Sequence, residues 1–322
     1  MPDIVTAKPV AARRTQPQRP LGRRARSRRV LARLEPLAWI GPAIILIGVV
    51  VIWPVVVMIQ TSLQNITADG ITLGSAGFSN YTNVLQNLNL PGILVRTVVW
   101  VAAVVGITMV LSLGMAQLFN QRFPGRRVAR WAIIAPWAAS VMMTSLIFRW
   151  MLDPNNGVIN VFLHDIGVVH QFNSNQAAWL ASPDSALAWM IAVAVFVSVP
   201  FTTYVLLAGL QTIPGELYEA SRVDGASRWG IYRLITLPLL RPAFLIGLVI
   251  NLMNVFNSFP IIWEMTQGGP GYETSTSTIF MYDLKQTFVG QSAAMSMINF
   301  LIVIVIVLAF IRLNRRNLQE AR

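Results

Sequence analysis

Six long apolar runs, each almost free of charge, leave this chain few ways to fold. They extend approximately from Leu37 to Gln60, Ile93 to Phe119, Trp131 to Leu152, Leu187 to Gln211, Ala243 to Ile262 and Ala293 to Leu313. A peptide group left unpaired in hydrocarbon is costly, and a bilayer core about 30 Å thick takes roughly 20 residues of helix to cross. The runs therefore predict an all-α integral membrane protein with six transmembrane helices. Composition agrees, since 55% of the 322 residues are apolar and only 12% charged. The first run is too long for a signal-peptide apolar region and no small-residue cleavage site follows it, so it reads as an uncleaved helix. The expected organisation is a basic tail over 1–34, a six-helix domain over 35–317 and a short C-terminal tail over 318–322.

The net charge of +12 is distributed unevenly. Ten of the 25 Lys and Arg precede Glu35, in a Pro, Ala and Arg-rich stretch with too few apolar residues for a core. It reads as disordered or membrane-surface, and the rest of the chain offers no basic, aromatic-interleaved surface for nucleic acid. Arg122, Arg126, Arg127 and Arg130 follow the second run, Arg222, Arg228, Arg233 and Arg241 follow the fourth, and Arg312, Arg315, Arg316 and Arg322 follow the sixth. Only Arg96, Arg149 and Lys285 fall in the alternate loops, the first two at span edges where a long side chain can snorkel. The positive-inside rule then places both termini and residues 218–242 in the cytoplasm, as an even number of crossings requires.

What the chain lacks narrows its function. With no cysteine there is no disulfide framework and no thiolate chemistry. His164 and His170 are too few for a histidine metal cluster. No G-x-x-x-x-G-K-[ST] loop occurs, so the chain does not hold ATP in that manner. No ionisable residue stands near the middle of a run, where proton relays and ion-coupled carriers need one. A membrane-embedded enzyme would need clustered acids or histidines, whereas Asp153, Asp165 and Asp184 are widely spaced in a loop. Energy must then enter from another subunit, or the chain forms a passive channel.

Between the fourth and fifth runs lies "YEASRVDGASRWGIYRLITLPLLRP", polar in an otherwise apolar region. Pro214 suits a first helical turn, and Glu216 and Glu219 suit the positive end of its dipole. Asp224 and Gly225 supply a turn, Gly225 tolerating positive φ. A second helix is expected over about Ala226 to Thr236, running to Pro238 and presenting Trp229, Tyr232 and Arg233. These features fit either a solvated loop whose arginines set topology or a built cytoplasmic helix-turn-helix.

The spacing of Glu219, Ala220, Gly225, Ile235, Leu237 and Pro238 resembles the EAA signature of ABC importer permeases, with Ser221 where the third position is usually alanine. Further agreement extends over about Leu37 to Arg316. It includes "PWAASVMMTSLIFRWMLDPNNGVIN" and "SFPIIWEMTQGGPGYETSTSTIFMY", the latter similar to permeases for di- and oligosaccharides and glycerol phosphates, with Thr266 to Pro270 as the T-x-G-G-P turn. The resemblance implies a coupling helix that docks on a separate cytoplasmic ATPase. Glu219 would offer an anion, Ala220 and Ser221 close approach, Asp224 and Gly225 the turn, and Arg228 and Pro238 the second helix. It also implies a second homologous permease subunit, two copies of the ATPase holding ATP and Mg, and an extracytoplasmic solute-binding protein. This chain itself would carry no cofactor.

Sugars are held by hydroxyl hydrogen bonds and by stacking on aromatic faces. Asn251, Asn254 and Ser258 recur at i, i+3 and i+7 and share one face of the fifth run. Asn257, Phe259 and Trp263 lie near them, and Thr203, Tyr204, Ser296 and Asn299 are placed to converge from the fourth and sixth runs. The competing role for these groups is bonding between helices. The acidic, basic-poor loop over about Asp153 to Asp184 is expected to face the solute-binding protein. Asn65 and Asn80 begin N-x-T triplets that carry little weight, Ala102, Gly106 and Gly114 read as close-packing positions, and Pro54 and Pro200 are expected to bend their helices.

Overall fold

A computed structural model describes residues 39–168 and 178–320. The basic tail lies outside the described residues, as does His170. Among the described residues, five helices are long and apolar enough to cross a membrane: α1 (Trp39–Ser62), α3 (Leu90–Asn120), α7 (Pro183–Gln211), α9 (Arg228–Phe256) and α12 (Val289–Glu320, its apolar part ending at Arg312). Shorter elements join them. Between α1 and α3 lie a hairpin of β1 (Gln64–Ile66) and β2 (Thr72–Ser75) and helix α2 (Ser79–Leu85). The others are α4 (Arg126–Ala138), α5 (Val141–Met151), α6 (Val158–Asp165), α8 (Gly215–Val223), α10 (Pro260–Thr266) and α11 (Ser277–Lys285).

The chain divides into two units, one through Val57 and one from Met58 onward. The described part of the first is the opening of α1, whose apolar window has no buried residue. It carries a π turn over Gly48–Ile52, closed by Trp53 N–H to the Gly48 carbonyl, directly before Pro54.

In the second unit the third apolar run departs from a single helix. It folds as α4 and α5, with Ala139 and Ser140 extended between them. Ser140 takes the N-cap position of α5 with an extended backbone and no side-chain cap bond. The fifth run also differs from expectation. The second helix of the polar segment is continuous with the span, because α9 runs from Arg228 to Phe256 without stopping at Pro238. A π turn over Tyr232–Thr236, with Leu237 N–H reaching the Tyr232 carbonyl, widens the helix just where the ring of Pro238 would meet the preceding turn. The span then ends early, at Asn257, and α10 resumes at Pro260.

The core is built on α3 and α7, which pack along each other more extensively than any other pair. Trp100, Val104 and Met109 meet Met190, Val193 and Val199, and α10 adds Ile261, Ile262 and Met265. A second cluster joins Phe119 to Leu206, Leu210 and Leu240. There α7 and α9 approach closely, and a Cβ on Gly209 would meet that of Ala243 at 2.4 Å. Polar groups lie inside the bundle. Ser112 and Thr202 are fully buried, Ser112 donates to the Val199 carbonyl at 3.2 Å, and Trp100 Nε1 donates to the Val255 carbonyl at 3.1 Å. Val98, Val110, Leu111 and Val305 stand exposed. This is the arrangement that a lipid solvent selects. Asn80 is 4% exposed and donates to the carbonyls of Ser62 and Gln64, holding the hairpin in place.

Candidate functional site

A cavity of about 320 Å³ opens where the interrupted helices meet. Trp137 and Val141 line it from the two sides of the α4–α5 break, and Asn254, Ser258 and Ile261 from the α9–α10 break. The first turn of α5 begins at this wall with no side-chain cap on Ser140, so peptide N–H donors are available there. Trp137 and Phe201 stack with centroids 6.3 Å apart and their planes 21° from parallel, and Trp100 and Ser198 also line the space. Among the described residues, no Asp, Glu, Lys or Arg lines the cavity. Rings, amides, a hydroxyl and open peptide groups suit an uncharged hydroxylated solute.

The residues singled out for this role divide into groups. Asn251, Asn254 and Ser258 all reach the cavity wall. Asn251 is 4% exposed and spends both amide hydrogens inside the protein, on Thr202 Oγ1 at 2.7 Å and the Gly247 carbonyl at 2.9 Å. Asn254 is exposed to the cavity and has no side-chain hydrogen bond among the described residues. Phe259 and Trp263 stack at 5.4 Å and both pack on Tyr282, forming a neighbouring aromatic cluster outside the lining. Asn299 is buried against the Ser277 carbonyl, and Ser296 bonds back to the Ser292 carbonyl within its own helix. Tyr204 lies elsewhere: its hydroxyl donates to the Arg130 carbonyl at 2.9 Å and ties α7 to α4. Asn257 donates to the Met253 carbonyl, and Thr203 is fully buried.

The polar hairpin is a closed local structure. Gly225 has φ +76°. Its N–H bonds the Arg222 carbonyl at 3.1 Å, and Ala226 N–H bonds the Ser221 carbonyl at 3.0 Å. This pair of bonds is the Schellman termination of α8, which needs a left-handed residue at the position of Gly225. Two residues later the Ser227 hydroxyl accepts from Gly230 N–H at 3.1 Å and caps α9. Tyr218 and Thr236 hydroxyls meet at 3.3 Å and hold α8 against α9, while the buried Ser221 hydroxyl bonds the Leu217 carbonyl one turn back within α8. Glu219, Ala220, Asp224 and Arg228 are left on the exposed surface. A cleft of about 930 Å³, lined also by Gln117, Asn120 and Gln121 of α3, lies beside the hairpin.

A family model described as the binding-protein-dependent transport system inner membrane component matches residues 108–319. The chain belongs to this family. It is 39% identical to a probable ABC transporter permease protein of Brucella suis, over 89% of this chain and 99% of that one. It is 31% identical to the sulfoquinovosyl glycerol transport system permease protein SmoG of Agrobacterium fabrum, over 88% of this chain and 91% of the relative. The fold is also that of a chain in the crystal structure of a bacterial alginate ABC transporter in complex with an alginate pentasaccharide-bound periplasmic protein. The TM-score is 0.75 at 23% identity, covering 89% of this chain and 96% of that chain. The protein is thus a multi-pass inner-membrane transport subunit and not an enzyme.

Several residues of this transport component escaped the sequence reading. Trp137, Phe201, Trp100 and Ser198 line the cavity because α4 stops at Ala138 and because α3 and α7 turn those positions inward. Pro200, beside Phe201, was a signal that pointed to the right turn of α7, although the helix remains continuous through it. Arg130 and Arg126 were read only as topological charge. Their guanidinium groups donate to the carbonyls of Phe119 and Gln121 and so finish the C-terminus of α3.

Proposed function

We propose that this subunit forms half of the pore of an ATP-driven importer and carries a neutral sugar or sugar-like solute into the cytoplasm by alternating access. The observation that carries the substrate class is the uncharged cavity at the two helix breaks. Asn254 and Ser258 face the stacked Trp137 and Phe201 across a space of about 320 Å³. Sugars are named for two relatives: sulfoquinovosyl glycerol, which carries an anionic sulfonate, for SmoG, and trehalose and maltose, which are uncharged, for a Thermococcus litoralis permease that is 31% identical over 74% of this chain. The uncharged lining favours the second kind.

In this reading both termini and the hairpin lie in the cytoplasm, as the clustered arginines require. The hairpin over 214–238 is the coupling element. A separate ATPase, present in two copies and holding ATP and Mg, engages Glu219, Ala220, Asp224 and Arg228. Because α8 is fixed to α9 through Tyr218 and Thr236, and α9 is continuous to Phe256, a push on the hairpin is delivered as a rigid-body movement to the cavity wall at Asn254. A second homologous permease supplies the other half of the pore, and a solute-binding protein delivers the solute from outside.

The test is uptake by proteoliposomes that contain the chain with its co-purified partners and its solute-binding protein, across a panel of neutral sugars. Uptake that requires ATP and is saturated by one sugar class is expected. Equal solute flux with ATP omitted would assign the chain to the passive channels instead.

A further inference from the structure

Helix α6 turns an apolar face outward. A helix on a soluble surface turns its apolar stripe inward and its polar residues outward. The inward side of α6 is mixed: Ile159 packs half-buried against the core, and beside it Asn160 is fully buried, donates to the Asp153 carbonyl at 2.8 Å and accepts from Trp179 Nε1 at 2.6 Å. The residues pointing out are apolar: Val158 at 58% exposure, Val161 at 40% and Phe162 at 63%, continued past the helix by Ile166 at 55%. At 100° per residue these four span an arc of about 140° on one side. A contiguous exposed apolar face of this kind marks a contact with a partner or a membrane.

We propose that α6 is an interfacial helix that beds Val158, Val161, Phe162 and Ile166 in the acyl–headgroup boundary of the bilayer. Three observations favour lipid as the occupant. Like the spans, α6 keeps a polar side chain, Asn160, inside and turns apolar side chains outward. The face carries no basic residue, and α6 starts seven residues after α5 ends, held against α5 by Asn160 and Asp153 at the end of a crossing. The end of α5 itself presents Ile147 and Trp150, both exposed, and tryptophan is the residue that collects at the membrane–water boundary. Asp165 falls within the same arc in the last turn, at 71% side-chain exposure. A carboxylate there keeps the helix shallow, with Val158 and Phe162 deeper than its C-terminal end. The consequence is an anchor that fixes the height of residues 153–166 at the membrane surface.

The chain contains no cysteine, so single-cysteine variants need no background substitutions. Phe162→Cys and Val158→Cys, with Asn156→Cys as an exposed loop reference, are spin-labelled in the full chain, reconstituted with its co-purified partners in lipid vesicles. Collision with oxygen, which partitions into lipid, is compared with collision with a water-soluble nickel chelate. The expected result is a several-fold preference for oxygen at 158 and 162 and the opposite preference at 156. Preference for nickel at 158 and 162 would place the face in water and overturn the proposal. Labels at 158 and 162 shielded from both reagents would show a protein partner covering it, as would oxygen access that vanishes only when the solute-binding protein is added; either result overturns the proposal too. The reading is independent of what the subunit transports.

Discussion

At Gly225 the backbone demand is separable from the space around it. A Cβ there would meet nothing within 4 Å, so the only penalty of Gly225→Ala is the left-handed φ of +76°. That strain, about 1–2 kcal/mol, falls on the Schellman turn. We expect Gly225→Ala to reduce co-purification of the ATPase. Gly125→Ala, with the same open surroundings and φ +82° but outside the hairpin, should leave it intact. Equal ATPase recovery from both variants would remove the turn from the docking surface. Asp283, on α11, presents a different residue-scale case. Burial pushes its carboxyl above the ordinary carboxylate range. A raised acid is neutral in the fold at a pH where the unfolded chain has already ionised, so folding loses stability as pH rises through that window and the loss persists above it. Asp283→Asn should therefore raise the thermal midpoint at pH 7, and the gain should vanish toward pH 3. A midpoint difference independent of pH would show that the carboxylate charge is not responsible.

Proline accounts for two departures of whole elements from regular helix. Both π turns end two residues before a proline, Gly48–Ile52 before Pro54 and Tyr232–Thr236 before Pro238. In each case the wider turn spares the carbonyl that the ring would strike. This explains what was legible here and what was not. The existence and approximate ends of α1, α3, α7 and α12 follow from apolar length alone, since lipid makes a helix obligatory. Proline after a polar segment reads as a boundary in a sequence, because nothing local reveals that the helix can widen and continue. The break at Ser140 was equally hidden: an apolar run looks continuous whether or not its helix is, and only packing between neighbours settles the matter. At the hairpin, by contrast, Asp224 and Gly225 declare the turn directly. We expect Pro238→Ala to let the π turn tighten to α, which rotates the hairpin relative to the span. ATP hydrolysis by the assembled complex should persist while solute uptake per ATP falls. Unchanged uptake per ATP would show that the wide turn has no part in transmission.

Across the whole molecule, one side chain can serve packing and another transport on the same helical face, and Asn251 and Asn254 permit the two to be told apart. The sequence placed both on one face with Ser258, and all three reach the cavity, yet periodicity alone could not assign their hydrogen bonds. Asn251 is committed to Thr202 and Gly247, linking α9 to α7 at the level of the cavity. Its replacement by leucine removes both bonds and crowds a buried site, for about 1–3 kcal/mol of stability. Asn254→Leu disturbs no bond among the described residues and takes away only an amide offered to the solute. A lost neutral hydrogen bond of about 1 kcal/mol is worth several-fold in apparent affinity. We therefore expect Asn251→Leu to lower the thermal midpoint of the assembled transporter, and Asn254→Leu to leave that midpoint unchanged while raising the solute concentration for half-maximal uptake by about five-fold. If Asn254→Leu instead lowers the midpoint and leaves the uptake curve in place, the amide belongs to the packing between subunits, and the solute passes along a different wall.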